Sequence, residues 1–245
     1  MGSMPGDGAT ICRDNDNANW PHPMHPRWPN TWAIGTSTAG WHTQAVATDP
    51  DEHLRETLIE RESVLLGSYL TANIDTVRDV AGGQHKREVV VHPGGVAILP
   101  VLPDGRLVFV RQYRHAVGEV LLELPAGTLD REDDGSTEDP ASAAMRELAE
   151  ETGYRAAHWR KLARFFSSPG FASEEMHLYL ATGLEPIAGY EGTPPEERLD
   201  VKLIPWSKAI SLAEGGAIRD AKSLLAINRL QLLALEGEVT ELRAS

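Results

Sequence analysis

Between Asp139 and Gly153 the chain spells out one helix with well-marked ends, and any fold it adopts must accommodate that helix. Asp139 suits the cap position, and Pro140 suits the first helical position, where a missing N–H costs nothing. Gly153 suits the left-handed residue that stops a helix. At 100° per residue, Ala141, Ala144, Met145 and Leu148 fall on one apolar stripe. Glu147, Glu150 and Glu151 fall on the neighbouring stripe, with the small Ala143 beneath them. One side should therefore enter a core while another presents carboxylates. An acidic solvated face is the plain explanation, but two details oppose it. Like charges four residues apart repel, and the three glutamates sit toward the C-terminal half, where the helix dipole disfavours anions. No Lys or Arg lies one turn downstream on that face, and Arg146 points away from the apolar stripe, where it can brace a carboxylate. A hard divalent cation would relieve the crowding, because Mg²⁺ takes oxygen ligands, usually one or two carboxylates with waters and phosphates.

The surroundings of this helix are mixed. Residues 1–50 read as an irregular arm: "NWPHPMHPRWPNTW" has prolines too frequent for a helix or an inner strand. Its histidines and methionines match no metal-ligand spacing. The opening Met1–Met4 reads as a tag remnant and is set aside. Residues 51–92 read as a small antiparallel β unit, with "AGGQHK" as the turn before "REVVVH". Two strands then flank Asp104-Gly105, a tight-hairpin signal. "EVLLELPAG" reads as a short strand ending at Pro125, "WRKLARFFSS", "EMHLYLATGL" and "RLDVKLIPW" as further strands, and the tail as two helices around Gly215-Gly216. Strands and helices do not alternate regularly, so the fold class is α/β with a mixed sheet rather than a repeated βαβ sheet.

The net charge of −13 argues against nonspecific nucleic-acid binding, which needs clustered basic residues. It leaves room for a small anionic substrate, since metal ions reverse the local sign. The sequence has no apolar run long enough to cross a bilayer and no secretory signal pattern. Cys12 is the single cysteine, so no internal disulfide can form. A cytoplasmic protein without nucleic-acid or membrane partners is the expectation.

Gly127, Glu138 and "RELAEETGY" together resemble the Nudix box, which runs G, five residues, E, seven residues, then R-E-aliphatic-x-E-E-x-G-aliphatic. Arg146, Glu147, Glu150, Glu151 and Gly153 match it, and Glu138 precedes Arg146 at the family's spacing. There are two departures. "TLDREDDGST" makes the gap from Gly127 to Glu138 about five residues longer than the pattern, and Tyr154 stands at an aliphatic position. A polar loop insertion is tolerated thermodynamically and leaves the helix intact. The resemblance implies a Nudix-type α/β/α sandwich over residues 93–245 that hydrolyses a nucleoside diphosphate linked to another group.

"VFVRQYR", "LLELPAG", "SSPGFASEE" and "IRDAK" resemble the ADP-ribose pyrophosphatase branch of that family. The resemblance implies Glu147, Glu150 and Glu151 as metal ligands, with the backbone carbonyl of Ala126 adding another. It implies two or three Mg²⁺ ions, with Mn²⁺ as the alternative. It gives Glu174 as the loop base, one residue from its competitor Glu175, with Glu147 and Glu151 in the catalytic cluster. Arg114 would contact a substrate phosphate, with Arg111 competing, and Arg87 would be a contact lent by the N-terminal unit. Arg146, Gly127 and Glu138 would support the cluster, Glu138 being either a ligand or a helix-start anion. The branch implies a homodimer in which the N-terminal strands cross to the partner, and ADP-ribose as substrate. GDP-mannose, or a non-catalytic nucleotide sensor on the same fold, are the rival readings.

Overall fold

The computed structural model describes residues 10–11, 50–132, 135–193 and 198–239. Its centre is the strand Gly95–Pro100 (β5), in which every residue is buried. Val96 and Ile98 pack with Ala143, Ala144 and Leu148 of the helix Pro140–Thr152 (α1). Ala97 and Leu99 turn the other way, onto Ala209 of the helix Trp206–Glu214 (α2) and Ala226, Ile227 and Leu230 of the helix Ala221–Glu236 (α3). A strand covered on both faces reads as a continuous apolar run, which is why "GVAILP" shows no alternation. The result is a mixed sheet between helices, as the sequence predicts.

Two sheets make up this body. One has the order β1-β9-β10-β5-β8, where β1 is Thr10–Ile11, β8 is Ala126–Thr128, β9 is Tyr154–Phe166 and β10 is Glu175–Pro186. β10 runs parallel to β5 and antiparallel to β9. The other, antiparallel, has β6 (Arg106–Arg114) between β11 (Leu199–Pro205) and β7 (Glu119–Glu123).

This arrangement corrects the hairpin expected at Asp104-Gly105. The turn forms, with Leu102 N–H donating to Arg106 O at 2.8 Å and Gly105 at φ 81°. Beyond the single bridge Val101–Leu107, however, β5 and β6 part into different sheets. The cause is not local: both edges of β5 are already taken, by β10 and β8.

The expected N-terminal antiparallel unit is a three-stranded sheet of β2 (Thr57–Leu66), β3 (Thr71–Arg78) and β4 (Gln84–Val91), in the order β2-β3-β4. Arg61 clamps the buried Asp75 through two bonds of 2.7 Å. β2 is exposed along its whole length and carries Leu58, Val64, Leu65 and Leu66 on the surface. Of residues 1–50, the described part is Pro50 and β1, which lies parallel to His158–Trp159; there the chain is a short strand rather than irregular arm. The proline-rich stretch and Cys12 lie outside the described residues.

Candidate active site

Both predicted ends of α1 form as the sequence requires. Asp139 accepts from Ser142 N–H at 3.0 Å, and Gly153 closes the helix at φ 70°. A Cβ at Gly153 would lie 2.4 Å from the ring of Tyr190, whose hydroxyl donates to Glu150 O at 2.7 Å. The helix end is thus sealed by a side chain 40 residues away in sequence. The insertion before α1 folds back on itself: Glu138 N–H donates to Asp130 O and Glu132 N–H to Ser136 O, both at 2.9 Å. The chain therefore returns beside the point it left, and the longer spacing does not disturb the helix.

The three glutamates do not share one environment, contrary to the single stripe drawn from the sequence. The Glu150 side chain is 54% exposed and that of Glu147 12%, whereas Glu151 as a residue is only 6% exposed. The Arg146 guanidinium gathers most of the acidic charge. Its Nη1 donates to Glu147 Oε1 at 2.7 Å and to Glu150 Oε2 at 3.1 Å. Its Nε and Nη2 donate to the two oxygens of Glu138 at 3.2 and 2.8 Å. The crowding is thus relieved from one turn upstream, by an arginine half shielded from water. These hydrogen bonds raise the Arg146 pKa and hold the Glu138 carboxyl below its ordinary range. In this arrangement Glu138 is an anchor for Arg146.

Glu151 makes no bond to Arg146 and lies against β8. Its Oε2 accepts from Ala126 N–H at 3.0 Å, so the residue expected to offer its carbonyl to a metal also binds this carboxylate through its N–H. Burial pushes the Glu151 carboxyl up to about 8; the Ala126 N–H opposes the shift, neighbouring Glu147 adds to it, and Arg114 and Lys222 oppose it. Gly127 lies against Glu147 so closely that a Cβ there would sit 1.9 Å from the carboxyl carbon. The glycine is needed to let a carboxylate lie on the strand.

Glu174 ends the loop between β9 and β10. Ser167 Oγ donates to its Oε2, and His92 Nδ1 lies 3.7 Å from its Oε1. This loop is stitched to β4: Val90 N–H donates to Phe171 O at 2.7 Å, and Ser173 N–H to Val90 O at 2.9 Å. Gly95 pairs with Thr128 on one side and Met176 on the other, so the Glu174 loop and the Gly127–Glu147 contact meet at one end of the sheet. Glu175 instead pairs with Arg164 at 2.9 Å on the face of the sheet.

The arginines separate. By the two-residue period of a strand, Arg114 shares the face of Val108 and Val110, while Arg111 shares that of Leu107 and Phe109 and is exposed. Arg114 is held by Glu123, with Nε and Nη2 each 3.0 Å from one carboxylate oxygen. Arg87 is not brought to the glutamates by this chain; it bonds Glu56, just before β2. Sequence reasoning missed Glu123, 2% exposed, which also accepts from Lys222 Nζ. The available signal was a lone carboxylate inside the apolar run "VLLELP".

Among the described residues, no three His, Cys, Asp or Glu side chains converge into a closed metal cage. Mg²⁺ does not need one: it takes one or two carboxylates and fills its octahedron with water and phosphate. Two hard oxygen donors, Glu147 and Glu151, side by side with Glu151 costly to ionise alone, fit such an ion.

Comparison with known proteins agrees with this geometry. Residues 91–226 match the NUDIX domain. The chain is 36% identical over 179 residues to the ADP-ribose pyrophosphatase of Bacillus subtilis (strain 168), covering 73% of this chain and 94% of that protein. It is 33% identical over 189 residues to a GDP-mannose pyrophosphatase of Salmonella arizonae, covering 72% and 96%. A crystal structure of an ADP compounds hydrolase superposes with a TM-score of 0.64 at 25% identity, over 76% of this chain and 97% of that one. With Glu147 and the buried Glu151 together on a capped helix and a domain match over more than half its length, this chain belongs to the NUDIX domain family.

Proposed function

We propose that the protein hydrolyses the diphosphate bond of ADP-ribose to give AMP and ribose 5-phosphate. The observation that carries the reading is the pair Glu147 and Glu151, packed against Gly127 and Ala126, in a chain similar to an ADP-ribose pyrophosphatase along 94% of that relative. Glu147, Glu151 and Glu150, with the Ala126 carbonyl, would hold two or three Mg²⁺ or Mn²⁺ ions. When bound, such ions neutralise phosphate charge and acidify a water. Glu174 accepts the proton as water oxygen bonds to phosphorus and the P–O bond to the other phosphate breaks. Arg114 faces a substrate phosphate. Arg146 and Glu138 keep the helix carboxylates in place.

The test is product identification across a panel of nucleoside diphosphate compounds, with and without Mg²⁺. AMP and ribose 5-phosphate should form from ADP-ribose only when the metal is present. Preferential cleavage of GDP-mannose would transfer the assignment to that substrate class, in keeping with the Salmonella relative. Absence of turnover on every compound would leave a nucleotide sensor.

Residues 51–92 serve as a dimerisation unit and 93–245 as the catalytic domain in this reading. The fully exposed β2, with its surface leucines, is the face offered to a second copy, and Arg87 would then reach the partner's site. Light scattering should return twice the 26.8 kDa chain mass; a monomer at assay concentration would rule the pairing out. No helix among the described residues is long and apolar enough to cross a membrane, and with its single cysteine we place the enzyme in the cytoplasm.

A further inference from the structure

We propose that Glu123 is a positioning residue: it aims Arg114 at the substrate phosphate and couples that aim to the seating of helix α3. The proposal rests on the reading of Arg114 as a phosphate contact. Glu123 lies at the end of β7 and is 2% exposed, so its charge persists only with cations against it. Arg114 supplies one, side-on through Nε and Nη2, both at 3.0 Å. Lys222, in the first turn of α3, supplies the other. Lys222 Nζ also lies 2.9 Å from Oδ1 of Asp220, the residue that caps α3. The next residue of the chain repeats the link: Leu124 N–H donates to Ser223 Oγ at 2.8 Å, and Ser223 Oγ donates to Asp220 Oδ2 at 2.6 Å. The last residue of β7 and the one after it are thus pinned to two consecutive residues of the helix start.

This geometry does more than neutralise a buried carboxylate. A guanidinium gripped along its Nε–Nη2 edge has a fixed plane, and its Nη1 remains for another acceptor. No other acceptor among the described residues takes an Arg114 N–H, and the Arg114 side chain is 38% exposed. Three residues after Glu123, Ala126 holds Glu151, so the clamp and the carboxylate pair belong to one short stretch of chain. Fixing the arginine before substrate arrives removes the ordering cost from binding.

Steady-state kinetics with ADP-ribose and saturating Mg²⁺ test this through Arg114→Lys, Glu123→Gln, the double variant and Lys222→Met. Arg114→Lys should raise KM roughly tenfold, since lysine cannot reproduce the fork. Glu123→Gln should raise KM by a similar factor with kcat changed less than about threefold, and should add less than about twofold in the Arg114→Lys background. Lys222→Met keeps the clamp but removes the direct bond from Glu123 to α3; it should raise KM roughly threefold, an effect absent in the Arg114→Lys background. A folded Glu123→Gln protein with unchanged KM, or factors that multiply in the double variant, would make Glu123 a structural ion pair only. Should Glu123→Gln fail to fold, an unchanged KM in Lys222→Met would overturn the coupling. An unchanged KM in Arg114→Lys alone would remove the phosphate-contact reading itself, a failure told apart because it appears with Glu123 intact.

Discussion

Glu151→Gln should lower turnover at saturating Mg²⁺ by roughly a hundredfold or more, while making the metal-free protein more stable at alkaline pH. The activity loss follows from removing a charged oxygen ligand at the most buried position of the cluster. The stability gain follows from the raised carboxyl pKa of about 8, caused first by burial. In the unfolded chain a glutamate ionises near about 4.3, so between that value and about 8 the folded state holds a proton that the unfolded state has released. Stability from this group is fully present at low pH and is lost as pH rises through about 8. Glutamine has no proton to lose, so the variant should lack this decline, with a gain on the order of a few kcal/mol at pH 9 in chelator. Adding Mg²⁺ should raise the melting temperature of the parent more than that of the variant, because an ion that binds only the folded state stabilises it by mass action. Normal turnover in the variant would remove Glu151 from the metal set; a parallel pH–stability curve would show that its carboxyl is not held protonated.

Gly127→Ala should also cost roughly a hundredfold in turnover, and with little change in melting temperature. The added Cβ would lie 1.9 Å from the Glu147 carboxyl carbon and from Oε1, and 2.5 Å from Oε2. Those atoms are the far end of a flexible side chain, so Glu147 swings aside and the strand stays. Destabilisation should therefore remain near about 1 kcal/mol. A carboxylate moved by about 1 Å no longer meets the narrow oxygen distances that Mg²⁺ requires, and misplacements of that size cost about a hundredfold. The same swing breaks the 2.7 Å bond from Arg146 to Glu147. The two measurements that decide the matter are kcat with ADP-ribose and the melting curve. A fully active alanine variant would mean that Glu147 need not rest on β8.

Much of the molecule is legible because its signals are local. The caps at Asp139 and Gly153, the turn before β4, the break at Gly215-Gly216 and the apolar run of β5 each depend on residues within a few positions, and each forms. The hairpin at Asp104-Gly105 shows where local signals stop. The turn residues do make the turn, yet they carry no information about which strands already occupy the edges of β5.

The site divides along the same line. From the sequence alone come the helix and its acidic face, which follow from helical spacing and residue type, while Gly127 and Glu138 come from the resemblance to the Nudix box. Tertiary structure decides that Glu151 is buried while Glu150 faces water, that Arg146 draws Glu138 in from just before the helix start, and that Gly127 leaves space for Glu147. It also decides that Arg114 answers to Glu123 and that Glu123 answers to Lys222, 99 residues along the chain. Helical and strand periods fix which way a side chain leaves its own element. What it meets there depends on the packing of distant elements, and no period in the sequence encodes that.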